Sequence, residues 1–349
     1  MEKDYPFISV IIPCYNAKAF LERCLNSLFS EKGSDFEVIL VDDGSNDGTL
    51  ELVKDLSEKE PGLKLINLGK NSGAAAAKNA GARESQGQYL FFLDADTKVK
   101  DGWFKAITDF FANHPESGLA QAKLLKMNSD IFDCAGDLMS NFGFLVERSR
   151  NAKDQGQFNT CQPIFSLKTA GAVIRKDVFE NIGGFDANYH IFWEDTDLAW
   201  RAWLSGWQVL FCPDLVVWHA YGTPEKTDRY YQDRENAYRI VYFGCRNHLI
   251  TLIKNLGLKK MILVLPIVKI SWFTLAILSL LSLKFNKGLS ILNGLWANLS
   301  SLPQTLQKRK QIQKTRRITD QELFAIVGTK KNLGYYLGKA MAYVQGKPF

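Results

Sequence analysis

The chain has 349 residues, 46% of them hydrophobic and 23% charged, with 43 Lys and Arg against 37 Asp and Glu for a formal charge of +6. That length holds one large domain or two modest ones, with a substantial core and further apolar surface besides. The positive excess is too modest to argue for a nucleic acid partner. Six cysteines, Cys14, Cys24, Cys134, Cys161, Cys212 and Cys245, form no Cys-x-x-Cys pair and no zinc-type spacing. They are expected to be reduced core thiols of a cytosolic compartment. The start, Met1-Glu2-Lys3-Asp4-Tyr5-Pro6, is too polar to begin a signal peptide, so the domain that follows is expected in the cytosol.

In chain order, Phe7 to Ile12 is a β-branched strand stopped by Pro13-Cys14-Tyr15-Asn16, and Phe20 to Phe29 carries apolar residues at helical spacing. Phe36 to Val41 is a second strand, Leu50 to Leu56 an amphipathic helix, Leu63 to Asn67 a third strand, and Ala74 to Ala82 a helix of small residues. Tyr89 to Leu93 and Trp103 to Phe111 add a strand and a helix, the latter ended by Asn113-His114-Pro115. This alternation predicts a parallel sheet with right-handed crossovers. From about 119 to 170 the periodicity weakens, and strand-like pieces (Leu119 to Leu125, Phe142 to Val146) alternate with polar loops, as around an acceptor cleft. Helices follow over Lys176 to Asn181 and Glu194 to Leu204, then extended pieces over Val209 to Cys212 and Leu215 to Trp218.

Two acidic pairs, Asp42-Asp43 and Asp94-Ala95-Asp96, each come directly after a buried-strand pattern. In an open α/β sheet, ligands bind beyond the carboxyl ends of the strands, so both pairs are expected at one binding edge. Carboxylates crowded there repel unless a cation neutralises them, and Asp-x-Asp offers oxygens to a divalent ion that also holds phosphate. A metal-bound nucleotide is the expected guest. Asp, Gly and Ser also favour turns and helix caps, so Asp42-Asp43-Gly44-Ser45 suits a purely structural turn as well.

The ordered set Val10-Ile11-Ile12-Pro13-Cys14-Tyr15-Asn16, Val41-Asp42-Asp43-Gly44-Ser45, Asn71-Ser72-Gly73 with Lys78-Asn79-Ala80-Gly81, Asp94-Ala95-Asp96, and Gly183-Gly184-Phe185-Asp186 with Trp193-Glu194-Asp195-Thr196-Asp197-Leu198 resembles family 2 of the glycosyltransferases. It is similar to that family's cell-surface glycan and rhamnosyltransferase-like branch over about residues 7 to 225. The resemblance implies a GT-A (Rossmann-like) α/β fold with a mostly parallel sheet flanked by helices, and inverting transfer of one sugar from a nucleotide donor. The family often has Thr or Ser where this chain has Pro13, which cannot donate a hydrogen bond to a base.

The resemblance assigns Pro13, Tyr15, Asp42, Asp43, Lys78 and Asp94 to the nucleotide sugar, with Asp43 accepting from the base and Tyr15 covering its ring. Asp96 is the expected direct ligand of Mg²⁺ or Mn²⁺, Asp94 a direct or water-mediated one, and His219 completes the set or touches the diphosphate. Asp195 is the expected general base, with Glu194 beside it binding acceptor or tuning its proton affinity. Acidic residues at 194, 195 and 197 also suit a helix N-terminus, and Asp197 with Arg201 four residues on reads as a structural ion pair. Trp193, Gly171 and Ala172 are implied at the acceptor. The implied donor is UDP- or dTDP-linked rather than GDP-linked, and the acceptor a glycan or lipid-linked hydroxyl. A nucleotidyltransferase is the alternative enzyme, though no triphosphate-binding loop of glycines and basic residues is present. A non-catalytic sugar-binding or scaffold protein on the same fold is the alternative class.

The last third changes character. Met261 to Leu283 is nearly unbroken apolar sequence, interrupted by Pro266 and Lys269 and flanked by Lys259, Lys260, Lys284 and Lys287. Leu289 to Leu299 is apolar too, and Lys308 to Arg317 makes a basic run suited to anionic headgroups. The expected organisation is a catalytic domain over 1–243, its nucleotide half ending near 118 and its acceptor half covering 119–243. A helical region over 244–349 would follow, with 261–283 spanning, re-entering or lying on the membrane at its cytosolic face, and a buried soluble helix as the alternative.

Overall fold

The computed structural model describes residues 7–31, 33–60, 62–220 and 234–345. The start Met1 to Pro6 lies outside the described residues. The chain forms two compact units, one from the chain up to Asp137 with Glu147–Gly222, the other from Leu138–Val146 with the chain from Thr223 onward.

In the first unit, β1 (Ile8–Cys14), β2 (Phe36–Asp42), β3 (Leu63–Asn67) and β4 (Tyr89–Leu93) lie side by side in the order β4-β1-β2-β3, all parallel. Their uninterrupted apolar runs are explained by burial on both faces. Val38 and Leu40 point into a cluster with Leu21, Leu25 and Leu28 of α1 (Lys18–Phe29) and with Trp103, Ile107 and Phe111 of α4 (Trp103–Asn113). Ile39 and Val41, on the opposite pleat, meet Ala77 and Ala80 of α3 (Ala74–Glu84). Small residues let α3 lie close to the sheet, since a Cβ on Gly81 would come within 2.5 Å of Ile11. Each Leu, Ile or Phe buried in this way contributes about 1.5–3 kcal/mol.

The sheet continues past β4 as β11 (Gly171–Arg175), β6 (Ser117–Lys126), β12 (Gln208–His219) and β10 (Gln162–Pro163), and β11 runs antiparallel between β4 and β6, which makes it mixed. Short strands β5 (Thr97–Val99) and β7 (Phe132–Cys134) pair with β12 and β6. The two extended pieces expected after 208 are one strand, broken in register between Cys212 and Val216. Pro213 lies in that break, where a residue without an N–H is tolerated.

The second unit holds helices Arg234–Asn255, Leu258–Leu281, Phe285–Ser300, Leu302–Lys314, Asp320–Val327 and Leu333–Gln345. A small sheet joins β8 (Asp137–Ser140) to β9 (Leu145–Glu147) and to β13 (Gly328–Thr329). Residues Phe142 to Phe144, expected as strand, are the turn between β8 and β9, closed by the Phe144 carbonyl accepting from the Ser140 N–H at 2.8 Å.

Candidate active site

The carboxyl end of β2 delivers Asp42 and Asp43, both buried. Asp42 accepts hydrogen bonds from the Gly44 and Ser45 N–H groups at 3.2 Å each, so its turn role is real, while its Oδ1 is buried with no protein donor. Asp43 accepts from Ser72 N–H at 2.7 Å and Gly73 N–H at 2.9 Å, the residues that open α3, and so sits at the positive end of that helix. Gly73 has φ +92°, and a Cβ there would lie 2.4 Å from His190 Nδ1, so this corner admits only glycine. Pro13 pairs with Val41 on β2 but lies past the last residue of β1 that pairs with β4, where a missing N–H costs little. Tyr15 is exposed, and Asn16 behind it ties the two loops by accepting from Asn46 N–H and donating its own N–H to Ser45 Oγ.

Past β4, the turn Asp94-Ala95-Asp96 faces His219 at the end of β12, held there because β5 pairs Thr97 with His219. Ligand atoms of Asp94, Asp96 and His219 lie within 4.8 Å of one another. His219 Nε2 is 3.3 Å from Asp96 Oδ1 and 3.9 Å from Asp94 Oδ2. On its other side Nδ1 is 2.9 Å from Asp133 Oδ2, a carboxylate that fixes the ring and leaves Nε2 facing Asp94 and Asp96. Burial opposes charge on His219, but the hydrogen bonds to Asp133 and Asp96, with the charges of Asp96 and Asp94, outweigh it and raise its pKa to about 10. Asp94 is also raised, by burial and by Asp96 and Glu194, against the pull of Lys78 and His219. Two carboxylates and one backed imidazole make a donor set that fits Mn²⁺ or Mg²⁺.

The third cluster starts α6 (Glu194–Leu204). Lys78 of α3 is the surprise: it is not an exposed helical lysine but is buried, with its ammonium 3.0 Å from Glu194 Oε1 and 2.5 Å from Thr169 Oγ1. Burial lowers the affinity of Lys78 for its proton, yet Glu194, Asp94 and Asp195 together raise it, so three acidic residues gather about one cation. Glu194 Oε2 is buried without a partner. Asp195 accepts from Thr196 N–H at 2.7 Å, and burial together with the Glu194 charge lifts its pKa to about 6, against the lowering influence of Lys168, Lys78 and that N–H. The residues leading in, His190, Phe192 and Trp193, have φ of +59°, +65° and +70°, a run of left-handed non-glycine backbone that marks a strained loop. Arg201 bonds Asp197 at 2.8 Å and the carbonyls of Ile182 and Gly184, so the pair read as structural is a buried clamp.

One expectation changes. Gly171 and Ala172 lie inside β11 between β4 and β6, Ala172 with no exposed surface, and a Cβ on Gly171 would meet Leu124 at 2.6 Å. They are sheet interior rather than acceptor contacts. Asp133, Lys168 and Thr169 went unnoticed in the sequence, because their partners lie 31 to 91 residues away and no local pattern marks them; Lys168 bonds Asp137 at 3.0 Å.

The fold has solved counterparts. S. aureus TarS residues 1–349 in complex with UDP-GlcNAc matches 98% of this chain and 93% of that one with TM-score 0.56 at 17% identity. Mannosyltransferase PcManGT from Pyrobaculum calidifontis, in complex with GDP-Man and Mn²⁺, matches 99% and 89% with TM-score 0.54 at 18% identity. These define a GT-A-type glycosyltransferase fold. The chain belongs to glycosyl transferase family 2, whose profile matches residues 9–183. Among curated relatives, glycosyltransferase AglE of Haloferax volcanii is 29% identical over 225 residues, 63% of this chain and 68% of that protein. The chain spans only 30% to 49% of the next three relatives it matches.

Proposed function

We propose that the protein transfers one sugar, with inversion, from a nucleoside-diphosphate sugar to a hydroxyl of a glycan or lipid-linked acceptor. The observation that carries this reading is the convergence of Asp94, Asp96 and His219 from different elements, with Asp133 orienting the imidazole. Asp96 and His219, with Asp94 beside them, would hold a divalent ion, which when bound would supply positive charge to the leaving diphosphate. Asp43, fixed at the N-terminus of α3, accepts from the base imide, Asp42 shapes that pocket, and exposed Tyr15 covers the ring. An imide partner favours UDP or dTDP over GDP; TarS, bound to UDP-GlcNAc, and PcManGT, bound to GDP-Man, stand on either side of that choice.

Asp195 takes the proton of the acceptor hydroxyl, a task for which a pKa near 6 is suited. Lys78 acts through Glu194, holding that carboxylate in place, so we assign it to positioning rather than to donor contact. Trp193, at the head of α6, is the proposed sugar platform. The second unit seats the enzyme on the cytosolic face of a membrane through the helix Leu258–Leu281, whose most apolar stretch of 18 residues has a mean hydropathy of 2.2.

The test is a thermal-shift panel of nucleoside diphosphates and nucleotide sugars with and without Mn²⁺ on detergent-purified protein. Mn²⁺-dependent stabilisation by one nucleotide class is expected, followed by NMR of the product's anomeric configuration. Absence of any nucleotide response sinks the donor site, and a retained anomeric configuration sinks the base assignment.

A further inference from the structure

We propose that the helix Leu258–Leu281 lies in the plane of an anionic lipid surface, with protein on one side and acyl chains on the other, and does not cross the bilayer. This rests on the membrane-seated reading above and deepens it. The helix has 24 residues, so at about 36 Å it is long enough to span. Its surroundings argue otherwise.

Val264, Val268, Ala276 and Ser279, four, eight and three residues apart, share one buried face. The opposite side carries an open apolar stripe: Ile262, Leu263, Ile270, Phe273, Ile277 and Leu281 are all exposed. Protein on one side and a bare apolar stripe on the other is the arrangement of a helix half-sunk in an interface. Trp296, on the helix Phe285–Ser300, is 71% exposed and suits the headgroup level.

The buried face is polar near mid-helix. Trp272 Nε1 donates to His248 Nδ1 at 3.2 Å, and His248 Nε2 lies 2.7 Å from the Gly143 carbonyl in the turn between β8 and β9. Burial pushes His248 down to about 4, which keeps it neutral for this relay. Gly143 has φ +83°, and a Cβ there would lie 2.7 Å from Val264, so the turn is pressed against the helix. Were the helix to span, this small three-stranded sheet and its turn would sit at hydrocarbon depth, where open sheet edges do not occur against lipid.

The lysines agree. Lys259 and Lys284 are exposed at either end, and Lys269 is exposed at the midpoint. A spanning helix would hold Lys269 at the bilayer centre, the costliest depth for a charge. Lying flat, all three reach anionic headgroups.

The test uses the full-length protein. It is expected to float with phosphatidylcholine vesicles containing about 30% phosphatidylglycerol and less with phosphatidylcholine alone. Ile270→Asp with Phe273→Asp, both on the exposed stripe, should lower the ratio of bound to free protein by at least about tenfold without changing the far-UV circular dichroism. Single variants Lys259→Cys and Lys284→Cys, in sealed membrane vesicles of both orientations and with unmodified protein as background, should react with an impermeant maleimide from the same side. Labelling from opposite sides would overturn the in-plane placement while leaving membrane seating intact. Failure of unmodified protein to float on either vesicle would remove the membrane reading itself.

Discussion

In the proposed reaction Asp195 is the carboxylate that takes the acceptor's proton. Because its folded pKa is raised to about 6, kcat/KM for the acceptor should climb about tenfold per pH unit below 6 and level off above it. Asp195→Asn should remove that limb and lower kcat by roughly 10² to 10⁴, with donor affinity nearly unchanged; weakened donor binding with normal turnover would reassign the residue. The stability sign follows from the same shift. A raised carboxyl pKa favours the folded state at pH below the unfolded value near 4, and that advantage is gone once pH passes 6. Asp195→Asn should therefore raise Tm at pH 8 more than at pH 4. His219, held protonated up to about 10, makes a second prediction: an ion taking Nε2 displaces that proton. Titration calorimetry of Mn²⁺ in two buffers of different ionisation enthalpy should show proton release, absent in His219→Asn, and Asp96→Ala should abolish metal-dependent turnover. Asp42, Asp43, Asp94, Asp96 and Asp195 were legible because each follows a strand or opens a helix. Asp133 was not, since a carboxylate behind a histidine 86 residues away leaves no local trace.

At the scale of elements, legibility followed burial. Strands buried on both faces, such as Tyr89–Leu93, announce themselves by composition, and the helices Lys176–Asn181 and Glu194–Leu204 begin and end where their periodicity does. Between 119 and 170 the short strands β7, β8, β9 and β10 are set by partners elsewhere in the chain, so their own residues carry little signal. Strand β11 was missed for a different reason: the space a neighbour leaves, not propensity, dictates Gly171. The head of α6 depends on a clamp. Arg201→Met takes the cation away from buried Asp197 and should cost roughly 3–5 kcal/mol in urea unfolding. Thermal stability unchanged from the parent would show that the clamp is not what holds α6.

Across the whole molecule, the two units are interleaved in sequence, since Leu138–Val146 belongs with the chain beyond Thr223. Removing everything after Gly257 is therefore expected to do more than detach a tail. It strips Val264 from Gly143 and β13 from β8, and the product should be protease-sensitive and poorly soluble, whereas surface variants on the apolar stripe stay folded. The pairing of Met139 with Gly328 also sets a timetable. The β8–β9 hairpin leaves the ribosome about 190 residues before the strand that completes its sheet, a wait of roughly 10 to 40 s at ordinary elongation rates. Through that interval Phe142 and Phe144 lack Tyr336, the ring both end up against. The newborn first unit must carry an unfinished, sticky loop, and early membrane or chaperone contact is what would shelter it until the last helix emerges.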